Sequence, residues 1–224
     1  MEWNPEYKRD LLTRFAHHSS AIEGNGLSQT DVNSILLYQT LPEKMIPIRE
    51  FLEVENHRLA FEFMFNNLEK DQPISIALIN GIHEKLMDRI HQEKGHFKTQ
   101  DNGILEANFK TVPATRVSLK MKQWVENLIF EEQIAKSDDD IIRLALENHI
   151  HFERIHLFMD GNGRTGRMLM MYFLMKHHIA PLIIKKDERT EYIRILDNQD
   201  VEGFFTLALP KIKYEEDRAK RFSN

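Results

Sequence analysis

Between positions 156 and 167 the chain reads His156-Leu157-Phe158-Met159-Asp160-Gly161-Asn162-Gly163-Arg164-Thr165-Gly166-Arg167, a run rich in reactive groups and poor in packing groups. Two glycines and an asparagine at the mouth of a helix suit a place where backbone N–H groups must approach a ligand closely. Such an entrance attracts anions, because its first N–H groups are unpaired and the helix dipole is positive there. Arg164 and Arg167 lie three apart, on one side of the first turn, and suit forked, charge-assisted hydrogen bonds to phosphate oxygens. Asp160, just before the glycines, is placed to hold a Mg2+ that bridges phosphates. His156 precedes the loop, and an unperturbed imidazole, with a pKa of about 6.5, is able to take a proton near pH 7. Phosphate cradle, metal carboxylate and base fall in one short stretch.

Other chemistries compete for the same residues. The stretch Gly161 to Gly166 matches the dinucleotide fingerprint GxGxxG, with Asp187 further on. That fingerprint must follow a buried strand, and His149–Phe158 is too polar and histidine-rich for one, with no βαβ pattern around it. No GxxxxGK[ST] loop occurs. A metal site from His149, His151 and His156 fails on spacing, since steps of two and five do not align on a helix face. A plain Gly-Asn-Gly turn with surface arginines leaves His156, Asp160, Arg164 and Arg167 without a common purpose.

The loop needs rigid neighbours, and the sequence supplies helices. Before it, Ile142, Ala145, Leu146, His149 and Phe152 share a helical face. After it, Met168–Met175 is apolar all round apart from the Tyr172 hydroxyl, as in a buried central helix. Leu11, Leu12, Phe15, Ser19 and Ile22 predict a first helix ending near Gly24-Asn25-Gly26. Ser28 with Asp31 and Ser137 with Asp140 read as capping boxes opening further helices, the second running to about Ile155. Longer patterns cover about Arg49–Glu69, Ile74–Ile90 and Arg116–Ala135. The helix after the loop starts near Gly163 and ends before Pro181, and two shorter ones follow beyond Glu188. Gly95–Pro113 breaks the pattern: Asp101-Asn102-Gly103, Glu106-Ala107-Asn108 and Thr111-Val112-Pro113 read as a turn-rich β-hairpin. The expected fold class is all-α, one domain with an exposed hairpin.

Composition narrows the partners. The 224 residues are 42% hydrophobic and 9% aromatic, ample for one large core. Lys+Arg is 30 against Asp+Glu 35, a formal net charge of −5, so no basic field for DNA or RNA exists. There is no cysteine, which excludes disulfides, thiolate metal sites and a cysteine nucleophile. The stretch from Met1 to Glu6 is acidic without an apolar signal core, and no apolar run approaches a membrane span. The expectation is a soluble, cytoplasmic protein without nucleic-acid or membrane partners.

With these residues in place, the sequence resembles the Fic-domain family, whose signature is HPFx[D/E]GNGRxxR. The one departure is Leu157, where the family usually has proline, which would stiffen the loop entrance. Gly95–Pro113 resembles the family's flap, a hairpin that holds a target segment in extended form. Tyr192 and Leu196 resemble a Tyr-x-x-x-Leu element bordering the nucleotide base, although two core residues one turn apart read equally well. The resemblance implies transfer of AMP from ATP to a Ser, Thr or Tyr hydroxyl of a protein, with release of pyrophosphate. His156 would take the hydroxyl proton. Asn162 and the N–H groups of Gly161 and Gly163 would bind the α-phosphate, Asp160 would hold Mg2+, and Arg164 and Arg167 would bind the outer phosphates. Relatives that move UMP, phosphate or phosphocholine keep the transferred group open, although Gly163-Arg164 keeps the nucleotidyl pattern. A helical adaptor that only binds nucleotide or protein is the non-catalytic alternative.

Ser19-Ser20-Ala21-Ile22-Glu23-Gly24 matches a second family pattern, [S/T]xxxE[G/N], found on an inhibitory helix. The resemblance divides the chain into an inhibitory region at 1–27 and a catalytic core at 28–224, with the flap at about 95–113. It pairs Glu23 with Arg167, denying the outer phosphate its partner. A preference of ~3 kcal/mol for the blocked state would leave the competent one under about 1%. Some inhibited relatives also remove AMP, with this glutamate orienting a water, and such proteins often form homodimers.

Overall fold

The computed structural model describes residues 3–103 and 109–222. Its helices are α1 (Pro5–Ile22), α2 (Gln29–Leu36), α3 (Ile48–Leu68), α4 (Ile76–Leu86), α5 (Ala114–Ile134), α6 (Asp138–Ile155), α7 (Asn162–Lys176), α8 (Arg189–Asn198) and α9 (Val201–Arg221). No strand occurs among the described residues, so the fold is all-α as expected. Within them, no helix is long and apolar enough to cross a membrane.

Local chemistry explains where the helices start. Ser28 and Asp31 form a reciprocal capping box at α2, and Ser137 and Asp140 form another at α6. At α1 the Asn4 side chain accepts from the N–H groups of Glu6 and Tyr7. α1 stops because Gly24 takes φ +97, a conformation costly to any residue with a Cβ. Glu23 is therefore the last residue before the chain turns away.

Two expectations are corrected. The second helix beyond Glu188, α9, is not short: it runs 21 residues with Pro210 inside it. The second long pattern also shrinks, from Ile74–Ile90 to Ile76–Leu86, because the Ser75 side chain caps its start and Arg89 takes a positive φ past its end. Of the expected hairpin, 95–103 and 109–113 contain no strand, and 104–108, including Glu106-Ala107-Asn108, lies outside the described residues.

α7 runs through the middle of the core, with every residue from Met168 to Met175 buried. α6 and α4 pack on it. α1 belongs to the same core: Trp3, Tyr7, Leu11, Phe15 and Ile22 join the cluster that contains α7. A smaller cluster joins α2 to α1 and α3 through Ala16, Leu27, Val32, Ile35, Leu36 and Val54. Arg14 ties α1 to Glu215 on α9 at 2.5 Å, and Arg218 returns to Asp10 at 2.6 Å. The end of α1 is fastened too, since Arg189 Nε donates to the Ile22 carbonyl (2.9 Å) and Asn25 Nδ2 donates to Glu53 (3.0 Å).

Candidate active site

The loop between α6 and α7 is shaped by two left-handed residues, His156 (φ 52) at the end of α6 and Gly161 (φ 77) at the start of α7. At Gly161 a Cβ would also come within 2.6 Å of Met87 Sδ, so the position has two reasons to be glycine. The Asn162 side chain clamps the loop: its Oδ1 accepts from Phe158 N–H (2.9 Å) and its Nδ2 donates to the Phe158 carbonyl (2.8 Å). Asn162 is 2% exposed, so its amide shapes the cradle from below. The Gly161 N–H is taken by Asp160 Oδ1 at 2.6 Å. That leaves the N–H groups of Asn162, Gly163 and Arg164 at the open end of α7, where no intrahelical acceptor exists.

The His156 imidazole is partly buried, with its Nδ1 enclosed, so Nε2 is the nitrogen left to meet a ligand. Burial and the nearby Lys98 ammonium hold its pKa down to about 4, against the smaller opposing effects of the Glu153 carbonyl, Glu23 and Asp160. It is a neutral base over the ordinary pH range. Leu157, the unusual residue of the motif, is fully buried, and its carbonyl accepts from the Lys98 N–H (2.9 Å).

Asp160 faces outward from the loop. Burial opposes its charge, but Arg164 and Arg49 outweigh this and keep its pKa below the usual carboxylate value. Arg49, from the first turn of α3, reaches Asp160 Oδ2 at 2.5 Å. No group of three or more His, Cys, Asp or Glu that could hold a metal exists among the described residues. A lone ionised carboxylate beside a phosphate cradle fits the way Mg2+ is carried in with phosphates, keeping most of its other ligands as phosphate oxygens and water.

The two arginines are not equivalent. Arg164, 2% exposed, turns inward, with Asp160 Oδ1 and Glu53 Oε1 each at 3.4 Å. Arg167 is met by the end of α1: its Nε donates to Ser19 Oγ (3.0 Å), and its Nη2 donates to the Ser19 carbonyl (2.9 Å) and to Glu23 Oε1 (2.7 Å). Burial works against the Arg167 charge, but Glu23 above all holds its pKa above normal. The Glu23 carboxylate also sits on the first turn of α7. A Cβ added to Gly163 would meet Glu23 Oε1 at 2.3 Å. A carboxylate thus already rests where the helix entrance favours an anion.

The structure therefore brings together His156, Asp160, Gly161, Asn162, Gly163, Arg164, Arg167, Ser19 and Glu23. Tyr192 lies apart from the loop. It is 1% exposed, with its hydroxyl 2.6 Å from His149 Nε2 and close to the Arg167 guanidinium. His149 is buried and His151 exposed, so the histidine-metal arrangement does not form.

Sequence reasoning missed the supports. His83 stacks on Phe158 with ring centroids 3.5 Å apart. Its Nδ1 accepts from Gly95 N–H (2.9 Å), which puts the proton on Nε2 to donate to the Asp160 carbonyl (3.0 Å). Lys98 donates to Asn102 Oδ1 (2.7 Å), and Asn102 donates to the Phe158 carbonyl (2.9 Å). Only distance in sequence hides these residues, because none belongs to the motif.

Residues 73–174 match the Fic/DOC family. The chain is 27% identical over 200 residues to the protein adenylyltransferase Fic of Drosophila erecta, covering 88% of this chain and 39% of that protein. It thus spans about two-fifths of the length of that relative. A fragment of Fic-1 from C. elegans superposes with a TM-score of 0.78 at 27% identity, covering 94% of this chain and 62% of that one. A Fic-domain-containing signalling protein from Bacteroides thetaiotaomicron, at 19% identity, shares the fold with a TM-score of 0.78 over 99% of this chain and 90% of its own.

Proposed function

Because residues 73–174 are a Fic/DOC-family domain, we propose that this chain is a protein adenylyltransferase held in check by its own Glu23. The observation that carries the reading is the α6–α7 loop, which sets a neutral histidine beside the open end of a buried helix with two arginines in its first turns. Its relatives' name, protein adenylyltransferase, supports the same chemistry.

ATP seats its α-phosphate on the N–H groups at the start of α7, in the cradle that Asn162 shapes. His156 takes the proton of a target Ser, Thr or Tyr hydroxyl as its oxygen attacks the α-phosphorus. The bond to the bridging oxygen breaks and pyrophosphate leaves. Asp160 is the residue that would hold Mg2+, which when bound would supply neutralisation of phosphate charge. Arg167 binds the outer phosphate, and Arg164 holds Asp160 in place from below. Such transfers depend on positioning and charge neutralisation more than on covalent help. In the resting state Glu23 and Ser19 occupy Arg167, so the triphosphate finds its anchor taken.

Purified wild type, Glu23→Gly and Glu23→Gly/His156→Ala, each with Mg2+ and ATP, are weighed intact by mass spectrometry. An AMP-sized addition in Glu23→Gly, scarce in wild type and missing from the double variant, is the expected result. A phosphate-sized addition would replace the transferred group, and equal modification of wild type and Glu23→Gly would remove the brake.

A second reading is favoured by one feature. The Glu23 side chain is 38% exposed while its carboxylate rests over Gly163. It is therefore open to water beside the α-phosphate cradle, as removal of AMP by a glutamate-oriented water requires. Loss of AMP from a modified target without ATP supports this; a persistent modification refutes it.

A further inference from the structure

Glu153, on α6, has no part in the scheme above. Its side chain is 7% exposed, and its Oε1 is buried without a hydrogen-bond partner. The carboxyl rests on the residue before Arg167: a Cβ at Gly166 would meet Glu153 Oε1 at 2.4 Å. The groups around it are Arg167 from α7, Glu23 from α1, His149 Nε2 on its own helix at 4.0 Å, and the Tyr192 hydroxyl from α8.

A buried carboxyl with an orphan oxygen beside a buried guanidinium needs explaining, since the two would ordinarily pair. Here the guanidinium already donates through Nε and Nη2 to Ser19 and Glu23. Burial pushes the Glu153 pKa up to about 8; Arg167 opposes this and Glu23 reinforces it. With Glu23 in place, Glu153 keeps its proton at neutral pH. Remove Glu23 with no nucleotide bound, and Arg167 is left as a buried cation with Glu153 as the adjacent carboxyl.

We propose that Glu153 is a positioning residue for Arg167: protonated while Glu23 or an outer phosphate holds the guanidinium, and ionised as its counter-charge when neither does. The phosphate half rests on the function proposed above; the Glu23 half rests on the contacts themselves. In Glu23→Gly without nucleotide, Glu153 releases its proton to solvent and steadies Arg167 inside the protein. Binding of the triphosphate then draws Arg167 outward, and Glu153 recovers a proton. The bound form has the higher pKa, so nucleotide affinity falls as pH rises between the free and bound values. Glu153→Gln has no proton to lose and lacks this slope.

Two measurements test it. Infrared spectra of wild type and Glu23→Gly at neutral pH are compared in the C=O stretching region of protonated carboxyls. The expected result is a band present in wild type and lost in Glu23→Gly; its absence from wild type, or its persistence in Glu23→Gly, overturns the proposal. This comparison stands even where Glu153→Gln does not fold. Calorimetric titration with Mg2+ and the non-hydrolysable ATP analogue AMPPNP, in buffers of different ionisation enthalpy, reads proton uptake in Glu23→Gly and Glu23→Gly/Glu153→Gln. Comparing the two cancels the nucleotide's own ionisation. Glu23→Gly should take up roughly one proton more at neutral pH, and equal uptake overturns the phosphate half. Failure of every form to bind would sink the nucleotide reading instead, with the infrared result still deciding whether Glu153 answers Glu23.

Discussion

Glu23→Gln and Glu23→Gly separate the charge of the proposed brake from its bulk. An exposed ion pair is worth under ~1 kcal/mol, whereas a hydrogen bond to a charged group reaches about 3 kcal/mol. The Arg167 side chain is 3% exposed and Glu23 38%, at 2.7 Å. Solvent screening at the glutamate end places the contact between those limits, at about 2 kcal/mol. Glycine at position 23 removes all of it, which sets an upper limit of about thirtyfold tighter binding of a triphosphate, reduced by whatever Glu153 recovers as counter-charge. Glutamine keeps the shape and a neutral acceptor, with roughly half the strength of the charged one. It should release ~1 kcal/mol, or about fivefold. The assay is calorimetric titration with Mg2+ and AMPPNP, using ADP as the control. ADP lacks the third phosphate that the proposed function assigns to Arg167, so its affinity should barely respond. An equal gain for ADP, or none for the triphosphate in Glu23→Gly, would refute the reasoning.

Other outcomes follow from the same contacts. Arg49→Gln removes the cation on Asp160 Oδ2, an exposed pair worth up to ~1 kcal/mol, so Mn2+ binding with nucleotide, followed by electron paramagnetic resonance, should tighten up to about fivefold. Asn162→Ala breaks both hydrogen bonds to Phe158 in a buried loop and should cost 1–3 kcal/mol or so in urea denaturation, along with activity. Burial holds the pKa of His57 and His149 down to about 3 and of His18 and His83 to about 4. An unfolded histidine titrates near 6.5, so the unfolded chain gains protons first and stability should fall as pH drops below about 6.5, read from denaturation midpoints. Glu153 runs the other way: raised to about 8, it loses stability as pH rises from its ordinary value of 4.5, and Glu153→Gln should flatten the alkaline side of the same profile.

What the sequence disclosed depended on how local each signal is. Capping boxes at Ser28 and Ser137 span four residues each and appear in the structure as read. The candidate loop is contiguous, so its residues had to meet once α6 and α7 formed. Ser19 and Glu23 share a helix face, and a family pattern directed Glu23 to Arg167, 144 residues away, whereas the Ser19 contacts with Arg167 emerged only in the structure. Beyond such patterns, long-range partners carried no mark. Nothing near Arg49 says that it reaches Asp160, 111 residues away, and His83 gives no sign of the Asp160 carbonyl. Tyr192 is a position the sequence left open, since residues one turn apart serve a core as readily as a ligand; its ring is buried against His149 and Phe204.

The way α1 is built in has a consequence for any attempt to switch the protein on by cutting it. Tyr7, Leu11, Phe15 and Ile22 are each at most 3% exposed, in the same cluster as α7. At about 1.5–3 kcal/mol per side chain they amount to on the order of 10 kcal/mol, comparable to the whole stability of a domain. A protease that removed residues 1–23 would leave an unfolded chain in place of an unleashed enzyme. α1 and α7 share one hydrophobic core, so on the reading proposed above the brake is released by moving the last turn of α1, around Glu23 and Gly24, with the rest of the helix left in place.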